Sequence, residues 1–478
     1  GVPGQIDKRP GITTIANNVG TRTYRLQAYY PTSGSNALYR IEGTNSRKWT
    51  GSGNWSANLQ TFTTGLDSEI IQGGESGNNE VLFWQNGTDT PLRSESTDTF
   101  VSLGTGATSP PKSLISVFFS NRWWILKNGF LYYSSAFPSD YSTAFSGSNG
   151  FRFSGYGGDR GLFVTRDAST TFANSIVVFM QNAIFGISPS ATPASTDLPY
   201  TITTQFGAID RKCIAQMGDD IAFLAPDGIR TIRRTVQDKL QFGTSYPLSY
   251  KLKDEFDNIN WAQSSKFHMI WWRDKLFFFF VQTPGTDINR AWVYWPAVDD
   301  GSGKGWAVLT GWTITAAEKF FVGGQELLYG GSTDGQCYQL WTATDDNGSA
   351  IDFKIQTREE DFELPQVFKS GGEVELVFNQ AGNYTVTLSA AIDGGSMTTL
   401  GTVSLASLAP SLPQNLPFNL NNATGARIYK KFHLDSLGRF KRIQFQIEFN
   451  GTSSTDVIRL LEYNVTSFKE HYEEETTS

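Results

Sequence analysis

The 478-residue sequence predicts an all-β protein. The expected architecture is a β-propeller of six or seven blades over residues 1–345, a β-sandwich-like domain over 350–468 and an acidic flexible tail over 469–478. Three observations lead there. Apolar residues show almost no 3.6-residue period; short apolar or alternating runs are bounded instead by Gly, Asn, Asp, Ser and Pro, as strands and tight turns require. Seven strand-turn-strand units have turn centres near residues 44, 87, 129, 182, 228, 285 and 335, and radially repeated blades recur every ~40–50 residues. Beyond a polar, turn-rich linker at 341–348 the pattern changes to period-2 alternation, which buries one face of a sheet and wets the other.

In order, the units are 37–41 turning at 43–45, 81–84 turning at Asn86-Gly87, 122–126 turning at Asn128-Gly129, and 175–180 turning at Gln181-Asn182. They continue with 220–224 turning at Asp227-Gly228, 275–281 turning at Pro284-Gly285, and 326–329 turning at Asp334-Gly335. Asn-Gly and Asp-Gly supply the positive φ angles of tight hairpins. Phe277 to Phe280 does not alternate, which suits a strand covered on both faces near a propeller axis, or any doubly covered core strand. In the C-terminal part, 373–378, 384–388 and 442–449 alternate clearly, and 469–475 reads as a frayed acidic end.

Composition narrows the function. Aromatics make up 14% and charged residues 18% of the chain, the latter below the ~25% of an ordinary soluble protein, which excludes disorder for most of the length. A net charge of −7 argues against gripping nucleic-acid phosphate as the main task. Cys213 and Cys337 can build neither a disulfide framework nor a four-thiolate zinc site and read as small core residues. Three histidines, His268, His433 and His471, leave little for imidazole chemistry. No apolar run reaches ~18 residues, so no membrane span is expected. Gly1 stands where a start methionine would, without a signal pattern after it, so the natural start is expected upstream.

Candidate chemistry is sparse. Ser332-Thr333-Asp334-Gly335 with Trp341 is similar to a sialidase Asp-box turn but fits a plain Asp-Gly hairpin better. Glu359, Glu360 and Asp361 suggest clustered carboxylates, yet as sequence neighbours they fit a solvated edge. His268, within Phe-His-Met-Ile-Trp-Trp, fits a satisfied buried or half-buried histidine. No catalytic, cofactor-binding or metal residue is assigned, and no cofactor is expected.

The segment 7–12, Asp-Lys-Arg-Pro-Gly-Ile, carries more. Pro10 fixes φ, and Gly11 is expected to permit a sharp reversal into a first strand. In this order and position it resembles the lead-in to the propeller of the tail hub, nozzle and packaged-DNA stabilisation proteins of short-tailed bacteriophages. The likeness continues at 121–141, from Asn-Arg-Trp-Trp-Ile through Pro-Ser-Asp-Tyr, at 172–187, and at 207–232 with Cys213. It extends to 327–340 with Cys337 and to 438–443, Gly-Arg-Phe-Lys-Arg-Ile, spanning about 7–463 in all.

The resemblance implies a non-enzymatic virion protein. Six copies would form a ring below the portal and adaptor, extending or closing the conduit through which genomic DNA passes without specific binding. An aromatic-rich chain with 13 Trp and no assembled catalytic motif suits interlocking surfaces. The alternative reading is a carbohydrate-binding or glycan-degrading propeller, and a cellular scaffold propeller is disfavoured by the lack of Trp-Asp blade signatures. A DNA conduit should also keep basic clusters such as Arg230, Arg233 and Arg234 off its lumen, for protein neighbours or the outer face.

Overall fold

The computed structural model describes residues 6–471 except 19, 64–66, 78, 154, 166–174, 191, 194–196, 241–245, 298–304, 380–383, 406–426, 452–457 and 467. Parts of two expectations, the tail at 472–478 and the blade segment at 172–174, lie outside the described residues. The chain divides into two compact units, 14–339 and a second one made of 1–13 with 340–478.

Among the described residues, unit 14–339 is organised by seven antiparallel sheets. Their first strands are Thr23–Tyr29, Glu69–Glu75, Ile115–Phe119, Asp159–Thr165, Ile214–Met217, His268–Trp272 and Ile314–Val322. Successive first strands pack beside one another, sheets 4 and 5 meeting through the Arg211–Cys213 turn, and the seventh first strand packs against the first. The ring therefore closes as a seven-bladed β-propeller. Sheet 7 takes its outer strand, Gly11–Thr14, from the start of the chain, and the division between the units falls within that strand and the neighbouring Cys337–Ala343. Within the propeller, the Ile15 N–H donates to the Cys337 carbonyl at 3.2 Å.

All seven expected hairpins join the second and third strands of a sheet. Asn128 and Gly129 adopt φ of 53° and 69°, the left-handed pair that reverses a two-residue hairpin. The second strand of each blade lies between two neighbouring sheets, so its side chains alternate between two apolar interfaces rather than between core and water. Trp123 and Ile125 join Val81 and Phe83 of sheet 2, whereas Trp124 and Leu126 join Ile176, Val178 and Met180 of sheet 4. Phe83 stacks on Trp123 at 4.2 Å. Such a strand reads as a continuous apolar run.

That geometry corrects the placing of Phe277 to Phe280. The run is buried on both sides, but it is the second strand of sheet 6 and stands one strand away from the axis, which His268–Trp272 lines. Among the described residues, sheet 5 has three strands where the other six have four. After its third strand, Gly228–Thr231, the chain enters a helix, Ile232–Leu240, that the sequence reading missed. At the sheet's edge the Leu248 N–H donates to the Ile229 carbonyl at 2.7 Å and the Ile229 N–H to Ser249 Oγ at 2.9 Å.

The second unit is a β-sandwich. One sheet has the order Ile6–Asp7, Arg459–Thr466, Glu373–Asn379, Arg427–His433; the other has Phe353–Gln356, Ile443–Gly451, Tyr384–Ile392, Thr398–Ser404. Val374, Leu376 and Phe378 of the first face Val386, Leu388, Phe445 and Ile447 of the second in one core, as the alternation requires. Two expectations are corrected. Residues Lys469–His471 form a strand paired with Phe368–Ser370 rather than a flexible tail, and the supposed linker at 341–348 begins with the end of the strand Cys337–Ala343.

The start of the chain is built into this unit. The Lys8 N–H donates to the Ile458 carbonyl at 3.1 Å, and Lys8 Nζ to the buried Tyr384 hydroxyl at 3.1 Å. Arg9 forks onto the Asp346 carboxylate at 2.9 and 2.5 Å. Gly11 lies in an extended strand and makes no reversal. Glycine is required there for room, since a Cβ would stand 1.7 Å from the Asp345 carbonyl oxygen.

Candidate functional site

The first strands of the seven sheets surround an axial cavity of about 750 Å³ within the propeller. Side chains from both faces of these strands reach it, as the consecutive Leu162, Phe163 and Val164 show. Ile71, Val117, Phe118, Leu162 and Phe163 give it apolar walls, whereas Arg25, Glu69, Arg211, Lys212 and His268 bring charge and hydrogen-bonding capacity from four sheets.

The charged groups form a continuous chain. Arg25 Nη2 lies 2.8 Å from Glu69 Oε1, and Arg211 Nη1 holds the other oxygen of the same carboxylate. Arg211 Nη2 reaches Asp67 at 3.1 Å, which Lys212 Nζ also holds at 2.8 Å. Sheets 2 and 5 stand across a seven-membered ring from each other, so the pairs between Asp67 or Glu69 and Arg211 or Lys212 span its centre. A passage crossed in this way is closed to a nucleic-acid duplex.

The electrostatics follow from partial burial. Burial alone would push the Asp67 carboxyl up, but Arg211 and Lys212 outweigh it and hold the group at about 2. Burial likewise opposes the charge on Arg211, and Asp67 and Glu69 more than restore it. Burial raises the Glu318 carboxyl above its ordinary value, with Arg25 opposing. His268 is 5% exposed and lies flat on Phe279 at 4.5 Å. Burial lowers it to about 3, and Lys212, Arg22 and Arg25 push in the same direction, so its ring is neutral at physiological pH. Neither ring nitrogen makes a hydrogen bond of ordinary geometry, although the Lys266 carbonyl lies close enough to favour protonation slightly. His268 is thus buried, as the sequence suggested.

Asp67 gives a pH prediction. Its folded value lies below its ordinary 3.8, so its contribution to stability is present above pH 3.8 and lost as pH falls through about 2. Asp67→Asn should cost about 1–2 kcal/mol near neutral pH, after allowance for the part of the carboxylate that still meets water. Urea denaturation of both proteins should show that difference near pH 7 and its disappearance near pH 2; a difference constant with pH would refute the assignment.

The other sequence candidates do not assemble. Glu359 lies 3.9 Å from Arg442 and Glu360 2.8 Å from Arg358, in separate surface pairs. Ser332 Oγ donates to Asp334, whose carboxylate also accepts the Gln336 N–H at 3.0 Å, the bonding of an Asp-Gly hairpin. His433 approaches Glu373, and His471 Nε2 pairs with Ser370 Oγ at 2.7 Å, both in the sandwich unit. Of the basic cluster, Arg233 and Arg234 are exposed, but Arg230 is buried, held by Asp227 at 2.9 Å and stacked over Phe206 at 4.3 Å, so it is not available to a neighbour. Among the described residues no group of three His, Cys, Asp or Glu side chains gathers as a metal site, and no helix is long and apolar enough to cross a membrane.

No protein-family model and no curated protein matches the sequence. Solved structures are similar only distantly. A structure of BBS1N in complex with ARL6DN is 11% identical, covering 70% of this chain and 98% of the other, with a TM-score of 0.41. A chain of the mitotic checkpoint complex is 11% identical over 71% of this chain and 92% of its own, with a TM-score of 0.35. An exo-β-1,3-galactanase from Phanerochaete chrysosporium is 11% identical over 97% and 100%, with a TM-score of 0.28.

Proposed function

We propose that this chain is a structural subunit of a short-tailed bacteriophage tail. In this reading six copies form a nozzle or hub ring below the portal and adaptor, extending or closing the DNA conduit and retaining packaged DNA until ejection. The observation that carries the reading is the Arg9-Pro10-Gly11 segment. The residues that resemble the family's lead-in form a built joint, with Arg9 on Asp346 and Gly11 against Asp345, next to the strand that begins sheet 7's outer edge. The chain acts by assembly rather than by catalysis, and its place is the virion.

The axial ion pairs add a constraint. DNA in this reading runs along the lumen enclosed by the six subunits, because Arg211 and Asp67 cross the propeller's own axis. The lumen wall is acidic or neutral, since a lysine-rich wall would bind phosphate in a salt-dependent way and hold the genome back. Isolated protein is expected to stay monomeric in native mass spectrometry and to appear as a sixfold ring in a reconstruction of the virion tail. Tight duplex binding with a steep salt slope would refute the slippery lumen. Hydrolysis of host polysaccharide, abolished by changing Glu359 or Asp361, would replace the assembly reading with the glycan-degrading one.

A further inference from the structure

We propose that the outer face of the sandwich's second sheet binds a neutral polysaccharide. The register sets side chains from its strands in rows across that face. Thr385 stands between Ser404 and Asn450, and Thr387 between Thr402 and Glu448, with Lys354 beyond. The alternate residues of the same strands, Val386, Leu388 and Ile447 among them, fill the core, so these rows turn outward. Thr385, Thr402, Ser404 and Asn450 are exposed, and Thr387 and Gln446 are half-buried. Neighbours in a row stand about 4.5–5.5 Å apart at Cβ, close enough for two of them to meet one sugar ring.

The chemistry of the face selects the partner. Hydroxyls and carboxamides both donate and accept hydrogen bonds, as the hydroxyls of a sugar do. The charges in the rows, Lys354 and Glu448, lie 3.5 Å apart and cancel, so the face offers no grip on phosphate or on an anionic membrane. The outward rows of the first sheet differ: they hold Glu373, Glu375, Arg427 and Lys431. Side-chain length gives the neutral face a step. Along Tyr384–Ile392 the outward residues are short, with Ser389 7% and Ala391 5% exposed, whereas the adjoining Ile443–Gly451 raises the longer Gln444, Gln446 and Glu448 beside them. A sugar ring lying on the short residues meets the long ones with its edge. The area excludes a second copy as the occupant, since four strands at ~4.8 Å and ~3.3 Å per residue span roughly 400 Å², half of the ~800 Å² per partner in a stable protein interface. A polymer instead gains by repeating modest contacts along its length. Glu448 is held by Lys354 rather than by a second carboxylate, so the face binds without cutting.

The test runs the full chain through native gels containing dextran, hydroxyethyl cellulose or soluble starch, with dextran sulfate and a polymer-free gel as controls. At least one neutral polymer should slow the chain relative to the polymer-free gel, and dextran sulfate should not. Thr387→Val combined with Thr402→Val keeps the shape, removes two hydroxyls and should raise the dissociation constant about tenfold. Gln446→Ala should weaken binding in the same direction and stands in if the threonine pair does not fold. Lys431→Ala, on the other sheet, should bind as the parent does. The proposal is overturned if none of the three neutral polymers slows the chain, if dextran sulfate alone does, or if the threonine pair and Gln446→Ala both bind as the parent does. A dimer formed without polymer and dissociated by the threonine pair would assign the face to a second copy instead. None of these outcomes depends on ring assembly.

Discussion

Gly11→Ala is expected to remove more than about 4 kcal/mol from the stability of the unit formed by 1–13 and 340–478, a loss reserved for substitutions with a definite steric or electrostatic cause. The cause here is backbone against backbone. An alanine Cβ would lie 1.7 Å from the Asp345 carbonyl oxygen and 2.3 Å from its carbon, atoms that cannot rotate aside as a side chain can. The same approach supports the Ile12 N–H to Asp345 carbonyl bond at 2.9 Å and the Asn347 N–H to Ile12 carbonyl bond at 2.9 Å. Pushing the strands apart therefore breaks both bonds and withdraws Arg9 from Asp346. Pro10→Ala, which only loosens the unfolded chain, should cost no more than ~1 kcal/mol. Urea denaturation with limited proteolysis between residues 1 and 13 gives the comparison, and a Gly11→Ala midpoint like that of the parent would show that the strand can lie further out.

Gly11 also shows how far the sequence could be read. The residue was legible as necessary, but the reason was not, because a glycine needed for a tight contact with residue 345 leaves the same trace as one needed for a turn. The seven second strands were legible for a stronger reason. Trp123, Trp124, Ile125 and Leu126 each face an apolar neighbour on alternate sides, so the whole run had to be apolar, and an Asn-Gly or Asp-Gly turn marked the end of several such runs. First strands were hidden because they mix polar cavity-lining residues with apolar ones: Glu69–Glu75 reads Glu-Ile-Ile-Gln-Gly-Gly-Glu, with no clear period. Outer strands such as Gln60–Thr61 and Phe100–Ser102 are too short to carry a pattern. The axial charges were invisible for a topological reason. Arg25, Glu69 and Arg211 become neighbours only when the ring closes, and no local spacing links them.

Arg40→Ala is expected to cost about 3–5 kcal/mol, through the charge it leaves behind rather than the contacts it removes. Arg40 is the centre of the second strand of sheet 1 and is fully buried, and its carboxylate partner Glu42 is 1% exposed. Its Nη1 donates to the Gly335 carbonyl at 3.2 Å and to Cys337 Sγ at 3.1 Å, both in sheet 7, and its guanidinium lies 4.8 Å from the Trp55 ring. One cation thus satisfies an acid of the first blade and an acceptor pair of the last, where the ring closes. Without it, Glu42 keeps only Arg47, which is itself partly in water and shared with the Ser56 carbonyl at 2.8 Å. Glu42→Ala should cost a similar amount by stranding Arg40. The double variant Arg40→Met with Glu42→Leu should cost clearly less than the two single losses together, since apolar groups of similar volume need no partner in that environment. Denaturation followed by tryptophan fluorescence gives the three values, and hydrogen exchange should place the added opening of each single variant in sheets 1 and 7. Single losses below about 1 kcal/mol, or strict additivity in the double variant, would mean that water reaches the pair and that the propeller is closed by its apolar contacts, Trp49 and Phe320 among them, alone.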